Sequence, residues 1–295
     1  MSYKFSIIIP TYNRASLIAK TLHSVLNQSF EDFEVIVVDD GSTDNTESVV
    51  ADFISDKVRY FRIPNGERAK ARNFGVTKAQ GYFITFLDSD DLLMPHCLQE
   101  ADDFLQKNPQ AVFFSLGYQI ISPEGKILHK INQRKGNLAQ KLVTGNHLSC
   151  IAVFVKRKII LENPFNENRD LSGTEDYELW LRLASRYALH YKNTIVASIV
   201  NHESRSVLGI NEEKLLKRMF LLFECIERDS FCKNFYKTSG IKSIKAHSWL
   251  YVALHLAMAQ RKKMAFKYLL KAIYEQKEVI FSKKTFVILK KILID

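Results

Sequence analysis

The N-terminal third of the chain alternates short apolar runs with amphipathic stretches. Phe5–Pro10, Phe33–Val38, Val58–Ile63 and Tyr82–Leu87 are rich in Ile, Val, Phe and Tyr, as expected of strands covered on both faces. Between them, Arg14–Gln28 carries Leu17, Ile18, Leu22, Val25 and Leu26 at helical spacing. Thr43–Phe53 and Glu67–Ala79 also read as helices. Strand and helix in succession predict a mostly parallel α/β sheet with helices on its faces, and such sheets bind ligands beyond the carboxyl ends of their strands. Polar clusters fall there: Thr11–Arg14 after the first strand, Asp39–Ser42 after the second and Asp88–Asp91 after the fourth.

The pattern changes near residue 98. Leu98, Ala101 and Leu105 mark a helix, and Val112–Ile121 and Ile127–Ile131 flank Ser122-Pro-Glu-Gly, a hairpin turn. Ile151–Val155 and Thr194–Val200 are strand-like, and Asp176–Tyr187 is an amphipathic helix with Leu179, Trp180, Leu183 and Ala184 on one face. Beyond residue 210 the reading is helical: a stripe of Leu215, Leu216, Met219, Phe220 and Phe223, then Ile244–Ala259, Met264–Ile273 and a last short helix through Phe286–Leu293. Domain boundaries of 1–202 and 203–295 follow.

Charge sharpens that division. The net charge is +10, and residues 203–295 hold 19 Lys/Arg against 9 Asp/Glu, so they carry the whole surplus. Two readings suit these basic helices: docking on an anionic membrane surface, or a helical cap with a solvated basic face. No nucleic-acid-reading motif accompanies the charge. The cysteines Cys97, Cys150, Cys225 and Cys232 form no C-x-x-C pair, which argues against structural zinc and fits a reducing compartment. No apolar run reaches the roughly 20 residues of a membrane span. The expectation is a cytoplasmic protein, soluble or peripheral on the inner face of the plasma membrane.

Asp88-Ser89-Asp90-Asp91 crowds three carboxylates at a strand end. Like charges this close require a proton or a cation, and oxygen ligands suit Mg²⁺ or Mn²⁺. A cation held there keeps positions open for a diphosphate. The alternative is an acidic cap on the following helix.

Context favours the first reading. Ser-Ile-Ile-Ile-Pro-Thr-Tyr-Asn-Arg (6–14), Val-Asp-Asp-Gly-Ser-Thr-Asp (38–44), Ala-Arg-Asn-Phe-Gly (71–75), Phe-Leu-Asp-Ser-Asp-Asp (86–91) and Glu-Asp-Tyr-Glu-Leu-Trp-Leu-Arg-Leu (175–183) occur in this order. Together, over roughly residues 4–202, they resemble the family 2 inverting glycosyltransferases of the GT-A (Rossmann-like) fold. The resemblance implies that Thr11, Tyr12, Asn13 and Arg14 cradle the nucleotide, and that Asp40 accepts a hydrogen bond from uracil. It places Arg72 near base and diphosphate, and turns Asp88 and Asp90 toward ribose and metal. Asp90, Asp91 and His202 are the implied metal positions, His202 lying in Asn-His-Glu-Ser-Arg-Ser (201–206), similar to the H-x-x-S segment of many relatives. Ser204–Gly209, with Arg205, would be a closing loop.

Inversion requires the acceptor hydroxyl to attack opposite the departing diphosphate, with a carboxylate on that face to take its proton. The resemblance puts this base on the second acid of the Glu175-Asp176 pair, hence Asp176. Asn163-Pro-Phe-Asn-Glu-Asn168 keeps Phe165 and Glu167 but lacks the glycines usual before the acid pair, so the acceptor pocket is left unread, and His147 is either on the acceptor side or structural. The expected activity is transfer from a nucleotide-diphosphate sugar, a UDP-sugar on the strength of Asp40 and Arg72, to a saccharide or lipid-linked saccharide in cell-surface polysaccharide synthesis. The competing readings are a catalytically idle nucleotide-sugar-binding protein and a sugar nucleotidyltransferase. The latter is disfavoured because Thr11–Arg14 replaces a Gly-rich loop.

Overall fold

The computed structural model describes residues 3–131, 136–202 and 212–294. Among these, nine strands build one sheet: β1 (Phe5–Thr11), β2 (Phe33–Asp39), β3 (Val58–Arg62), β4 (Phe83–Phe86), β5 (Leu92–Leu93), β6 (Phe113–Ile121), β7 (Ile127–Ile131), β8 (Val153–Lys156) and β9 (Leu189–Val200). Their spatial order is β3-β2-β1-β4-β8-β6-β9-β5, with β7 beside β6. The β3-β2-β1-β4 portion is parallel throughout. Beyond β4 the sheet is mixed: β8 runs antiparallel to β4 and β6, while β9 runs parallel to β6. The α/β class, the GT-A-like sheet and the C-terminal helices all agree with the sequence reading.

The chain leaves β1 outward to β2 and β3, then returns to β4 on the other side. The crevice between the ends of β1 and β4 is therefore the topological switch point, where ligands bind in such sheets. Both faces are covered, as the unbroken apolar runs require. Ile7, Ile9, Val35 and Val37 pack to one side with Leu22, Leu98 and Phe154. Ile8, Ile36 and Val38 pack to the other side, in a core that continues through Phe86 and Trp180 to Leu215, Leu222 and Trp249. The basic C-terminal helices share that second core, and so frame the site as well as extending the fold.

The last third is Glu212–Arg228, Ser230–Met258, Lys262–Glu275 and Lys283–Leu293. The second of these begins well before the Ile244 expected from periodicity. Asp229 caps it, its side chain accepting from Cys232 N at 2.8 Å, and the helix breaks at Lys237 (φ 55°) before resuming. The break at Lys237 interrupts the periodicity that starts with Cys232 and Tyr236, and the cap residue Asp229 marks the beginning. Among the described residues no helix is long and apolar enough to cross a membrane. The expected closing loop Ser204–Gly209, with Arg205, lies outside the described residues.

Candidate active site

The β1 end is braced against the β2 end. Asp40 N donates to Thr11 O at 2.9 Å. Asn13 occupies the left-handed region (φ 52°), which Asn tolerates better than most residues. This turns its N–H to Ser42 Oγ (2.9 Å) and its Oδ1 toward Thr43 N (2.8 Å). Tyr12 is left 46% exposed, while Thr11 is buried and its Oγ1 has no hydrogen-bond partner among the described residues. Asn13 thus shapes the loop that Tyr12 and Thr11 present.

The two aspartates at the end of β2 divide their work. Asp39 is internal scaffolding: Oδ1 accepts from Ser42 N at 2.7 Å and Oδ2 from the Tyr60 hydroxyl at 2.7 Å. Asp40 receives Gly66 N (2.7 Å), Glu67 N (2.8 Å) and Asn65 Nδ2 (3.1 Å). It thereby steadies Glu67, whose φ of 74° opens the Glu67–Lys78 helix. A carboxylate has about four lone-pair positions, so these three donors leave one open on Asp40. Burial raises its pKa, against the pull of the Gly66 and Glu67 N–H groups.

Arg72 is carried by that same helix, which lies close on the sheet. A Cβ at Gly75 would stand 2.5 Å from Ile8 Cγ2, so glycine is required for this approach. Arg72 is 2% exposed. Its Nη2 meets Asp88 Oδ1 at 2.7 Å, its Nη1 meets Glu175 Oε1 at 2.9 Å, and its guanidinium lies 5.3 Å from the Phe165 ring centroid. Arg68 Nε adds a 3.7 Å contact to Glu175. The Arg72 bridge joins the end of β4 to the start of the Glu175–Ala184 helix, so the β1/β4 crevice and the acid pair are linked. Arg72 therefore positions Asp88 from below.

The carboxylates after β4 point in three directions. Asp88 takes Arg72. Asp90 Oδ2 lies 3.1 Å from His202 Nε2 and 3.6 Å from Arg14 Nε, which brings together three residues singled out from sequence. Asp91 is buried and its Oδ1 accepts from Val200 N at 3.0 Å, tying the loop to β9. Asp90 and His202 suit a hard or borderline divalent cation: one carboxylate and one imidazole meet at the switch point. Among the described residues no three His, Cys, Asp or Glu converge, so diphosphate and water oxygens would complete such a shell.

Asp176 heads the Glu175–Ala184 helix, with Oδ2 accepting from Asn146 Nδ2 at 3.0 Å and Oδ1 from Tyr177 N at 2.7 Å. Burial, and then the Glu175 charge beside it, push its pKa up to about 6. It opens on a cavity of about 270 Å³ lined also by Asn146, Met219, His247, Tyr251 and Lys284. Asn146 and the C-terminal lining were not legible in sequence: they come from segments far apart in the chain, and no local spacing marks them. A larger cavity of about 760 Å³, near Leu138, Tyr187 and Phe235, holds none of the candidate residues.

Residues 6–160 match the family described as Glycosyl transferase family 2. An uncharacterized glycosyltransferase of Rickettsia bellii is 38% identical over 189 residues, covering 63% of this chain and 27% of its own. The chain spans 27% to 31% of the length of the first curated relatives it matches. The Escherichia coli UDP-Glc:alpha-D-GlcNAc-diphosphoundecaprenol beta-1,3-glucosyltransferase WfgD is 29% identical over 251 residues, covering 84% of this chain and 97% of its own. In structure, S. aureus TarS 1-349, solved in complex with UDP-GlcNAc, superposes with a TM-score of 0.66 at 17% identity, covering 93% of this chain and 92% of that 1-349 chain. The chain belongs to glycosyl transferase family 2.

Proposed function

From that membership we propose an inverting glycosyltransferase that moves a sugar, glucose first among candidates, from a UDP-sugar to a hydroxyl of a lipid-linked saccharide in cell-surface polysaccharide synthesis. The observation that carries this reading is the linked pair of half-sites: Asp176 over its cavity and Asp88–Asp90 over the β1/β4 crevice, joined by Arg72 and Glu175. The name of the E. coli relative supplies the donor and acceptor classes.

In the reaction the acceptor oxygen forms a bond to the anomeric carbon as the bond from that carbon to the diphosphate oxygen breaks. The electron pair leaves with UDP, and the hydroxyl proton passes to Asp176. A raised pKa suits a base that must hold that proton as the bond forms. Asn146 fixes the carboxylate's direction. Tyr12 offers its ring to the base, and the remaining lone-pair position of Asp40 faces the imide. Asp90 and His202 would hold Mn²⁺ or Mg²⁺, which supplies positive charge beside the departing diphosphate. No second acid is needed when that charge is present.

The test is a thermal-shift screen of nucleotide diphosphates and their sugars with and without Mn²⁺. Near 100-fold saturation a ligand adds about 2.7 kcal/mol, or roughly 5–10 °C for a chain of this size. UDP and one UDP-sugar should stabilise the protein with Mn²⁺ present, and Asp90→Asn should remove most of that shift. No stabilisation by any nucleotide with Mn²⁺ sinks the proposal.

The reading includes peripheral docking on the inner face of the plasma membrane. It is supported by exposed apolar side chains among the C-terminal lysines: Tyr274 is 90% exposed, Phe281 91% and Phe286 72%. Lys277, Lys283, Lys290 and Lys291 stand among them. Apolar insertion and attraction to anionic lipid add together in such a surface. The protein should float with vesicles containing anionic lipid at low salt, and a Phe281→Ser/Phe286→Ser variant should lose most of this. Equal flotation of variant and wild type would remove these helices from membrane docking.

A further inference from the structure

The cavity beside Asp176 is built on one side by the C-terminal helices, and its polar lining there is basic. Lys284 faces it from the Lys283–Leu293 helix, with Nζ 3.6 Å from where a Cβ on Gly145 would lie. Arg218 packs behind Gly173 of the cavity wall, with its guanidinium 3.0–3.2 Å from the Cβ position of that glycine. A side chain at Gly173 would displace it. Both glycines line the cavity. Among the described residues Lys284 and Arg218 form no ion pair, whereas Arg68, Arg72, Arg182 and Arg186 each have a carboxylate.

His247 and His147 stand close to Lys284. His247 Nδ1 is buried without a partner among the described residues, and His147 Nε2 meets Thr144 Oγ1 at 2.8 Å. Burial, and then the Lys284 charge, lower the pKa of both, that of His247 to about 4. Burial lowers the pKa of Lys284 too. An anion placed among these groups would oppose the mutual repulsion of Lys284 and the two imidazoles. Asp176 is a negative group in the same space, but it is committed to Asn146 and Tyr177 N.

The surroundings specify the anion further. Phe281 and Phe286, both largely exposed, bracket Lys284 in sequence. A ligand that meets basic groups inside and aromatic groups outside carries its anion at the head of an apolar tail. We propose that Lys284 and Arg218 bind the diphosphate of a lipid-diphosphate-linked acceptor, holding its first sugars toward Asp176. The proposal rests on the functional reading above, in which this cavity takes the acceptor. It makes the two residues determinants of acceptor specificity, acting on binding while Asp176 acts on the chemistry.

The probe is farnesyl diphosphate, titrated by calorimetry into the full chain in EDTA, so that cation-dependent diphosphate binding at the donor crevice is absent. Wild type should bind it, and farnesol at least about tenfold more weakly, one charge-assisted phosphate contact being worth about that factor. Lys284→Ala and Arg218→Gln should each weaken binding by about tenfold, and Lys284→Arg should retain most of it. UDP-sugar binding with Mn²⁺ should be unchanged in Lys284→Ala, which also shows that the variant is folded. Equal affinity for farnesol, an unchanged Lys284→Ala, or no binding by wild type overturns the inference. Preference for methyl glucuronide over farnesyl diphosphate overturns it in favour of an acidic sugar. If nucleotide sugars bind and farnesyl diphosphate does not, only this inference fails; if the reverse holds, the functional reading fails and the anion site stands.

Discussion

Asp176→Asn should lower kcat by about 10³-fold while leaving donor affinity within about twofold, since a positioned general base contributes roughly 10²–10⁴-fold. The amide keeps the shape but offers one acceptor oxygen where the carboxylate serves both Asn146 Nδ2 and Tyr177 N, and it cannot take the acceptor proton. The lost acceptor costs about 1 kcal/mol, which is offset in part. A carboxyl whose pKa is raised by folding is ionised at a cost above that pKa, so a neutral isostere removes a penalty. The same shift sets the pH profile. Asp176 must be ionised to act, so kcat/KM should fall as pH drops through about 6, with an apparent pKa belonging to the Glu175–Asp176 pair. Asp176→Asn should abolish that acid limb in whatever activity remains. If Asp176→Asn kept more than roughly a tenth of wild-type turnover, well above the loss expected for a general base, Asp176 would not be the base. The idle nucleotide-sugar-binding reading would gain only if wild type also failed to turn over.

Arg72→Ala should be the most destabilising single change at the site. It leaves Glu175, 3% exposed, without its nearest cation, and it takes the guanidinium away from Asp88 as well. Removing one partner of a buried pair costs about 3–5 kcal/mol. At roughly 2–4 °C per kcal/mol, the midpoint should drop by about 10 °C. Donor binding should weaken with it, because Asp88 loses its anchor. Arg72→Lys restores charge but not the fork that reaches two carboxylates, so it should fall between. A midpoint within about 2 °C of wild type for Arg72→Ala would show that the bridge is not what joins the two half-sites.

The parts legible in sequence were those encoded locally. The unbroken apolar runs of β1, β2 and β4 gave away a doubly covered sheet, and the polar residues after them fell at the switch point. Asp90, Arg14 and His202 were singled out separately and meet in space. The rest depended on contacts across the chain. Asp39 and Asp40 are adjacent and alike in sequence, yet Tyr60 claims one and the Gly66–Glu67 backbone the other. Arg72 was marked for the donor side, but its bridge to Glu175, over a hundred residues later, appears only once the chain is folded. Asp91 was grouped with its neighbours as a metal position by the resemblance, and the hold of the β9 backbone on its Oδ1 had no local signal. The Asp176 cavity was the least legible feature, because Asn146, His247 and Lys284 converge from three segments with no shared periodicity. The basic charge of the last third was visible, but its division between a cavity wall and an outer apolar face was not.

The most direct measurement is NMR of the product formed from UDP-glucose, Mn²⁺ and a GlcNAc-diphosphate lipid by the full chain. Glucose should be transferred with inversion, so that the α-linked donor yields a β-linked disaccharide with a large H1–H2 coupling, and no such product should form with Asp176→Asn. An α-linked product, or a β-linked product formed equally well by Asp176→Asn, would contradict this.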